Sequence, residues 1–240
     1  MTNSYVFPLF CLGVIASNAY ASNILFQNEV LTDEANPPVI SNVGTLIEAY
    51  NYGGETATLN GVNFIGVNDS VGQLLFDTSS FALSPPITVQ NYANAANPDL
   101  FEILNNFLFD GVLGELNTDF TLTGLTPGSV YQFQLIFGDN RVDVTPPQNE
   151  RLMRFNIGEP NQHDSIIFDT FSIVTGTFIA EGTGEQSFTM ELVNTGSGEL
   201  VGTTQILAYQ LRIIPEPSTY AVLVGALALA VAAFMQRLRR

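Results

Sequence analysis

The chain has 240 residues, 46% of them hydrophobic, and carries 23 acids against 7 bases for a net charge of −16. That length allows one globular domain or two small ones. All seven bases are arginines, three of them in the last four residues (Arg237, Arg239, Arg240). The body therefore holds only Arg141, Arg151, Arg154 and Arg212, which argues against duplex DNA or RNA as a partner. The single cysteine, Cys11, lies in an N-terminal apolar run. That removes disulfides, cysteine–metal sites and cysteine nucleophiles from everything after it, and a single histidine, His163, removes most histidine-based catalysis.

Residues 5–16 (YVFPLFCLGVIA) are an uncharged apolar run of signal-peptide length, followed by Ala19-Tyr20-Ala21 ahead of Ser22. Small residues at Ala19 and Ala21 mark a cleavage site before Ser22, so residues 1–21 are expected to be a secretory signal. The run is off pattern in one respect: MTNS precedes it, leaving the α-amino group as its only positive charge. Leu9 and Phe10 stand where a lipoprotein signal needs small residues before its cysteine, which argues against lipidation at Cys11.

Residues 22–212 alternate short apolar runs with Gly, Asn, Pro and Ser clusters about every 8 to 15 residues, the spacing of an all-β domain. About nine strands are expected, at 23–30, 44–51, 57–64, 120–122, 130–137, 151–157, 172–180, 186–193 and 205–213, forming a single β-sandwich. In 130–137, alternation sets Tyr131, Phe133, Leu135 and Phe137 inward and Gln132 and Gln134 outward. One helix is expected: Asn97 can cap it, Pro98 suits its first position, and Asp99 and Glu102 complement its dipole. Asp110-Gly111 would stop it, and Leu100, Phe101, Leu104, Phe107 and Leu108 form its apolar stripe over one end of the sandwich. Segments 177–180 and 186–192, joined by the five residues 181–185, read as a hairpin with Phe188, Met190 and Leu192 on one face.

Candidate sites in the body are few. The loop Gly138-Asp139-Asn140-Arg141-Val142-Asp143 gathers hard oxygen ligands beside an arginine, and Asp139, Asn140, Arg141 and Asp143 form a candidate ligand or calcium loop. The competing reading is a turn in which Arg141 pairs with a carboxylate, and the spacing matches no regular metal motif. Sugar stacking would need exposed aromatics. Tyr50, Tyr52, Tyr92 and Tyr209 are available beside Arg141, Arg151 or Arg154, but with no Trp in the chain they read first as packing residues. His163-Asp164-Ser165 puts triad residue types in one run. Triads are assembled from separate elements, so this run is expected to be a solvated loop. Scattered carboxylates always supply some close pair, and no nucleophile elbow, phosphate loop, zinc spacing or EF-hand is present. The chain is expected not to be an enzyme and to need no cofactor, with Ca²⁺ the one ion the loop could take.

At the C-terminal end, residues 217–236 carry no charge and 221–235 are apolar throughout. About twenty residues at 1.5 Å each span about 30 Å, a bilayer core, so a transmembrane helix is expected at 218–236. Arg237, Arg239 and Arg240 form a basic stop that favours the cytoplasmic side, which puts the acidic body outside.

Immediately before this span stand Pro215-Glu216-Pro217. Tripeptide, single span and arginine-rich end, behind a signal peptide, together resemble the PEP-CTERM sorting signal of exported bacterial proteins, over residues 213–240. The resemblance implies recognition by an exosortase, a membrane-embedded transpeptidase-like enzyme, with removal of the tail, and a link to extracellular polysaccharide or biofilm. The two prolines fix φ and withhold two backbone donors, which keeps the motif extended, as an enzyme cleft requires.

The body, with Leu125-Thr-Pro127-Gly128-Ser-Val-Tyr131 leading a strand, more loosely resembles jelly-roll or galactose-binding-like domains of bacterial surface proteins. Fibronectin type III domains share that lead-in, so it implies a sandwich and no function. The expectation is an exported β-sandwich protein, held in the membrane and then released to the cell surface or matrix, structural or adhesive in role. The alternatives are a carbohydrate-binding module and a permanently anchored surface protein.

Overall fold

A computed structural model of the chain describes residues 24–30, 40–67, 74–76, 81–83, 97–104, 108–110, 118–138, 151–156, 160, 162–167, 171–200 and 205–215. Runs rich in Val, Ile, Thr, Phe and Tyr that alternate with polar residues become strands. In chain order these are β1 (Leu25–Val30), β2 (Thr45–Tyr52), β3 (Ala57–Leu59), β4 (Val62–Val67), β5 (Leu74–Phe76) and β6 (Phe81–Leu83). The helix α1 (Pro98–Leu104) follows, then β7 (Leu108–Asp110), β8 (Thr118–Leu122), β9 (Val130–Phe137), β10 (Arg151–Phe155) and β11 (His163–Ile167). The last four are β12 (Ser172–Ile179), β13 (Gln186–Asn194), β14 (Gln205–Ile206) and β15 (Ala208–Ile214). Among the described residues the protein is all-β with one short helix.

A seven-stranded sheet has the order β1-β12-β9-β15-β2-β4-β3, a five-stranded sheet β11-β10-β13-β8-β5, and a small sheet β14-β7-β6. Only β2 and β4 pair in parallel among the described strands. Aromatic side chains join the two large sheets face to face. Phe133 of β9 stacks on Phe188 of β13 with ring centres 4.8 Å apart, and Phe188 stacks on Phe120 of β8 at 5.1 Å. Phe26 of β1 lies 5.2 Å from Phe155 of β10. These rings are all buried, and Phe188, Met190 and Leu192 share the inner face of β13 as their spacing predicts.

From β8 onward the chain changes sheet at nearly every connection: β8 to β9, β9 to β10, β11 to β12 and β12 to β13 all cross. The expected 177–192 hairpin is therefore wrong. β12 pairs with β1 and β9, and β13 with β10 and β8. Residues 181–185 arch between sheets because they pair instead with the neighbouring arch at 123–129, where Leu125 N donates to Gly184 O at 3.0 Å. A side chain on Gly184, at φ +73°, would press within 2.7 Å of Leu125 O, so this close approach requires glycine.

Four further expectations are corrected. The strand expected at 57–64 is two, β3 and β4, which pair antiparallel about a turn at Asn60 (φ +50°) and Gly61 (φ +76°). The helix stops at Leu104, so Leu108 belongs to β7, where it pairs in register with Leu83 and Ile206; Phe107 lies outside the described residues. Its buried stripe is Leu100, Ile103 and Leu104. Asn97 does cap it, its Oδ1 accepting from the backbone N of Asp99 (3.0 Å) and Leu100 (3.1 Å). Asp99 and Glu102 also accept from Thr58 N (3.2 Å) and Glu55 N (2.7 Å), covering donors at the β3 edge. The strand expected at 205–213 is two strands, because Leu207 N bonds Ile136 O at 2.8 Å where the chain passes from the small sheet into the large one. Finally, the 161–165 run is not a solvated loop. His163 and Asp164 lie in β11, paired with β10.

Candidate functional site

The segment that runs into Pro215-Glu216-Pro217 leaves the fold from β15, an interior strand. β15 is hydrogen-bonded to β9 on one side and β2 on the other, its last register partner being Val130, opposite Ile214. Pro215 follows, exposed and outside any strand. With no N–H it cannot extend the ladder, so the strand ends where the Pro-Glu-Pro tripeptide starts. Ile213 and Ile214 belong to the strand, two residues beyond the 212 boundary drawn from the sequence. Glu216, Pro217, the span 218–236 and Arg237, Arg239 and Arg240 lie outside the described residues, as do Ala19, Ala21 and Ser22.

A depression of about 300 Å³ surrounds the exit, lined by Thr45, Ser129, Val130, Ile213, Ile214 and Pro215. One wall is the turn that leads into β9. Pro127 and Gly128 (φ +79°) occupy its centre and Ser129 N bonds Thr126 O at 3.2 Å, a type II arrangement. The hydroxyl of Tyr131 accepts from Thr126 N at 2.9 Å, which explains why a tyrosine follows this turn. The opposite wall is Thr45, at the end of the 40–44 segment. A Cβ on Gly44 (φ +78°) would collide with Ile213 O, so only glycine lets the chain pass this close to β15.

Beneath that wall lies a polar row that the alternation in β9 does not reveal. Gln134 faces outward as expected but is buried, because residues 40–44 cross over it. Its Oε1 accepts from Ser41 N (2.8 Å) and from Gln210 Nε2, while its Nε2 donates to Thr175 Oγ1 (3.1 Å). Gln210 Nε2 also donates to Ser41 O (3.1 Å). Arg212, buried as well, donates to Gln210 Oε1 (3.1 Å) and Gly44 O (3.3 Å), and desolvation holds its pKa below the usual arginine value. Thr175, Gln134 and Gln210 stand in one register row across β12, β9 and β15. Their side chains tie the 40–44 segment to the sheet behind the exit. Glutamines facing each other in register were the signal, but register is not visible in a single strand's pattern.

The other sequence candidates separate. Asp139, Asn140, Arg141, Asp143 and Tyr92 lie outside the described residues. Among the described residues no group of three His, Cys, Asp or Glu is placed to hold a metal ion. Tyr52 and Tyr209 are fully buried, so neither offers a stacking face, and Tyr50 is half-buried against the core. Arg154 is held by Asp164 (Nε to Oδ1, 2.8 Å) and Glu191 (3.7 Å). His163 turns the other way, stacked 6.0 Å from Phe26, so histidine and aspartate do not work together.

The Arg154 hydrogen bond holds the Asp164 carboxyl below its ordinary 3.8, whereas burial pushes Glu191 up and His163 down. A depressed carboxyl stabilises the fold above its unfolded value and loses that contribution as pH falls through its folded value. Asp164→Asn should therefore flatten the loss of thermal stability below about pH 4 relative to the unaltered protein. Parallel acid limbs in a thermal-melt series would show that the pair contributes nothing.

No family model matches the chain, and no curated protein matches it. Among solved structures, the ANX2 ectodomain from Arabidopsis thaliana is similar with a TM-score of 0.45 and 13% identity, over 72% of this chain and 50% of that one. The ANXUR1 extracellular domain from the same plant has a TM-score of 0.44 and 13% identity, over 71% and 49%. The chain thus spans about half the length of these ectodomains.

Proposed function

We propose that the protein is an exported surface or matrix protein whose β-sandwich, jelly-roll-like in its repeated crossing between sheets, is sorted through its C-terminal PEP-CTERM-like signal. Signal peptidase frees Ser22, the 218–236 span holds the precursor in the membrane with its acidic body outside, and an exosortase cuts near Pro215-Glu216-Pro217. The released domain then serves a structural or adhesive role in extracellular polysaccharide. The observation that carries this reading is the position of the motif: the ladder of β15 ends at Ile214 and the motif begins at the next residue. A cut beyond Pro215 leaves every described strand paired, so removing the tail costs the fold nothing.

Acidic polysaccharide would repel a body of this charge, so Ca²⁺ bridging between the two is part of the proposal. For the sorting step, replacing Pro215, Glu216 and Pro217 together by Ala should leave the precursor in the membrane fraction, with the processed form lost and the folded body unchanged in circular dichroism. Normal release of the variant would overturn it.

A further inference from the structure

Five of the exposed large apolar side chains among the described residues, Leu25, Val43, Leu46, Ile47 and Ile179, are 36 to 63% exposed and lie at one end of the seven-stranded sheet. Register places them there. Ile179 stands in the row Ile179–Val130–Ile214, the last row of β12, β9 and β15. Leu25 and Leu46 stand two rows in, at the ends of Leu25–Thr177–Gln132–Arg212–Leu46. Val43 immediately precedes the Gly44 that passes over Ile213. Another exposed apolar residue, Ile65, is opposite Tyr50, further up the sheet.

The same end receives both chain connections. β15 leaves there, and β1 begins there three residues after the expected cleavage before Ser22. β1 and β15 are three strand spacings apart, about 14 Å. Three residues from Pro215 to the start of the span reach about 10 Å at most. While the span is inserted, this end of the sheet cannot leave the bilayer surface, and it is the end that displays the apolar side chains.

We infer that this end is a membrane-docking collar: Leu25, Val43, Leu46, Ile47 and Ile179 rest in the headgroup region of the bilayer while the precursor awaits processing. The inference rests on the sorting reading, which supplies the anchor. Apolar side chains at a lipid interface contribute by the area they bury, and docking holds the Pro215 exit at a fixed height above the membrane, where an enzyme embedded in it works. Glu181 and Glu185, in the arch at this same end, oppose anionic headgroups, so the collar suits a zwitterionic surface.

The test uses the chain as signal cleavage leaves it, residues 22–240, which contains no cysteine, reconstituted in phosphatidylcholine vesicles, with one added cysteine bearing a fluorophore. Ile179→Cys and Val43→Cys report on the collar. Thr195→Cys, exposed at the far end of β13 about 25 to 30 Å away, is the reference. A phosphatidylcholine spin-labelled near its headgroup should quench the first two several-fold more than the third, and adding Leu46→Glu to the Ile179→Cys chain should weaken its quenching. Equal quenching at 179 and 195 in a chain that resists carbonate extraction overturns the collar and leaves the anchor intact. A chain fully extracted by carbonate overturns both.

Discussion

Phe188→Ala is expected to be the most damaging single substitution in the sandwich, costing about 3 to 5 kcal/mol and, at about 2 to 4 °C per kcal/mol for a domain of this size, lowering the thermal midpoint by about 6 to 20 °C. Phe188 stacks on Phe120 within its own sheet and on Phe133 across the interface, and meets Phe26 edge-on at 6.3 Å. Truncation leaves a cavity walled by three rings, each held by strand register, so the space cannot close by a simple rotamer change. Each stacked pair also contributes about 0.5 to 1.5 kcal/mol beyond its buried area. A midpoint within 3 °C of the unaltered protein would contradict the arrangement of the sheets, because the packing between them rests on this column. Phe188→Leu, which keeps most of the volume, should cost less than half as much.

The second large effect is expected from Gly176→Val. Gly176 of β12 stands in register between Phe26 of β1 and Phe133 of β9. The ring of Phe133 lies over the bare backbone of Gly176, so even a Cβ there would collide with it. This is the cross-strand pairing of an aromatic with a glycine, in which the ring covers backbone that has no side chain of its own. Phe133 cannot step aside, since Phe188 stacks on one side of it and Phe26 meets it edge-on at 6.1 Å. Overpacking of this kind costs about 1 to 3 kcal/mol when one or two methylenes are added, and valine adds three carbons against a pinned ring. The variant should melt at least 5 °C lower, by the same proportion, with Gly176→Ala intermediate. Unchanged stability of both variants would mean that the Phe133 ring lies elsewhere.

Neither glycine nor column was legible from the chain alone, although much around them was. Alternation in 130–137 places Tyr131, Phe133, Leu135 and Phe137 in the core, and the Asn97-Pro98 start of the helix follows from capping chemistry that depends on three adjacent residues. What escaped depends on partners distant in sequence. A five-residue glycine-rich link serves a hairpin or an arch equally well, and the choice at 181–185 was made by Leu125, about sixty residues earlier. Gln134 faces outward as its parity requires, but parity says nothing of the 40–44 segment that covers it. β5, β6, β7 and β14 are two or three residues long, too short for any period to register. The 161–165 run is expected to be a loop because a triad is not built from one run, an argument that says nothing of β10, which pairs with β11 through the backbone.

At the exit, two local features combine. Proline chemistry marks residue 215 from the sequence alone, while the fact that β15 is an interior strand, paired on both sides up to its last residues, emerges only from the fold. The buried row of Thr175, Gln134, Gln210 and Arg212 stiffens the segment beside it at the cost of burying a cation. Its side chains bond one another and the 40–44 segment, as burial demands.

Removal of the tail after export can be read from the intact mass of the protein recovered from the surface or matrix of the cells that make it. The account predicts a chain beginning at Ser22 and lacking roughly the last 20 to 25 residues, the full span with its basic stop. A surface protein whose mass includes Arg240 would contradict it and make the span a permanent anchor.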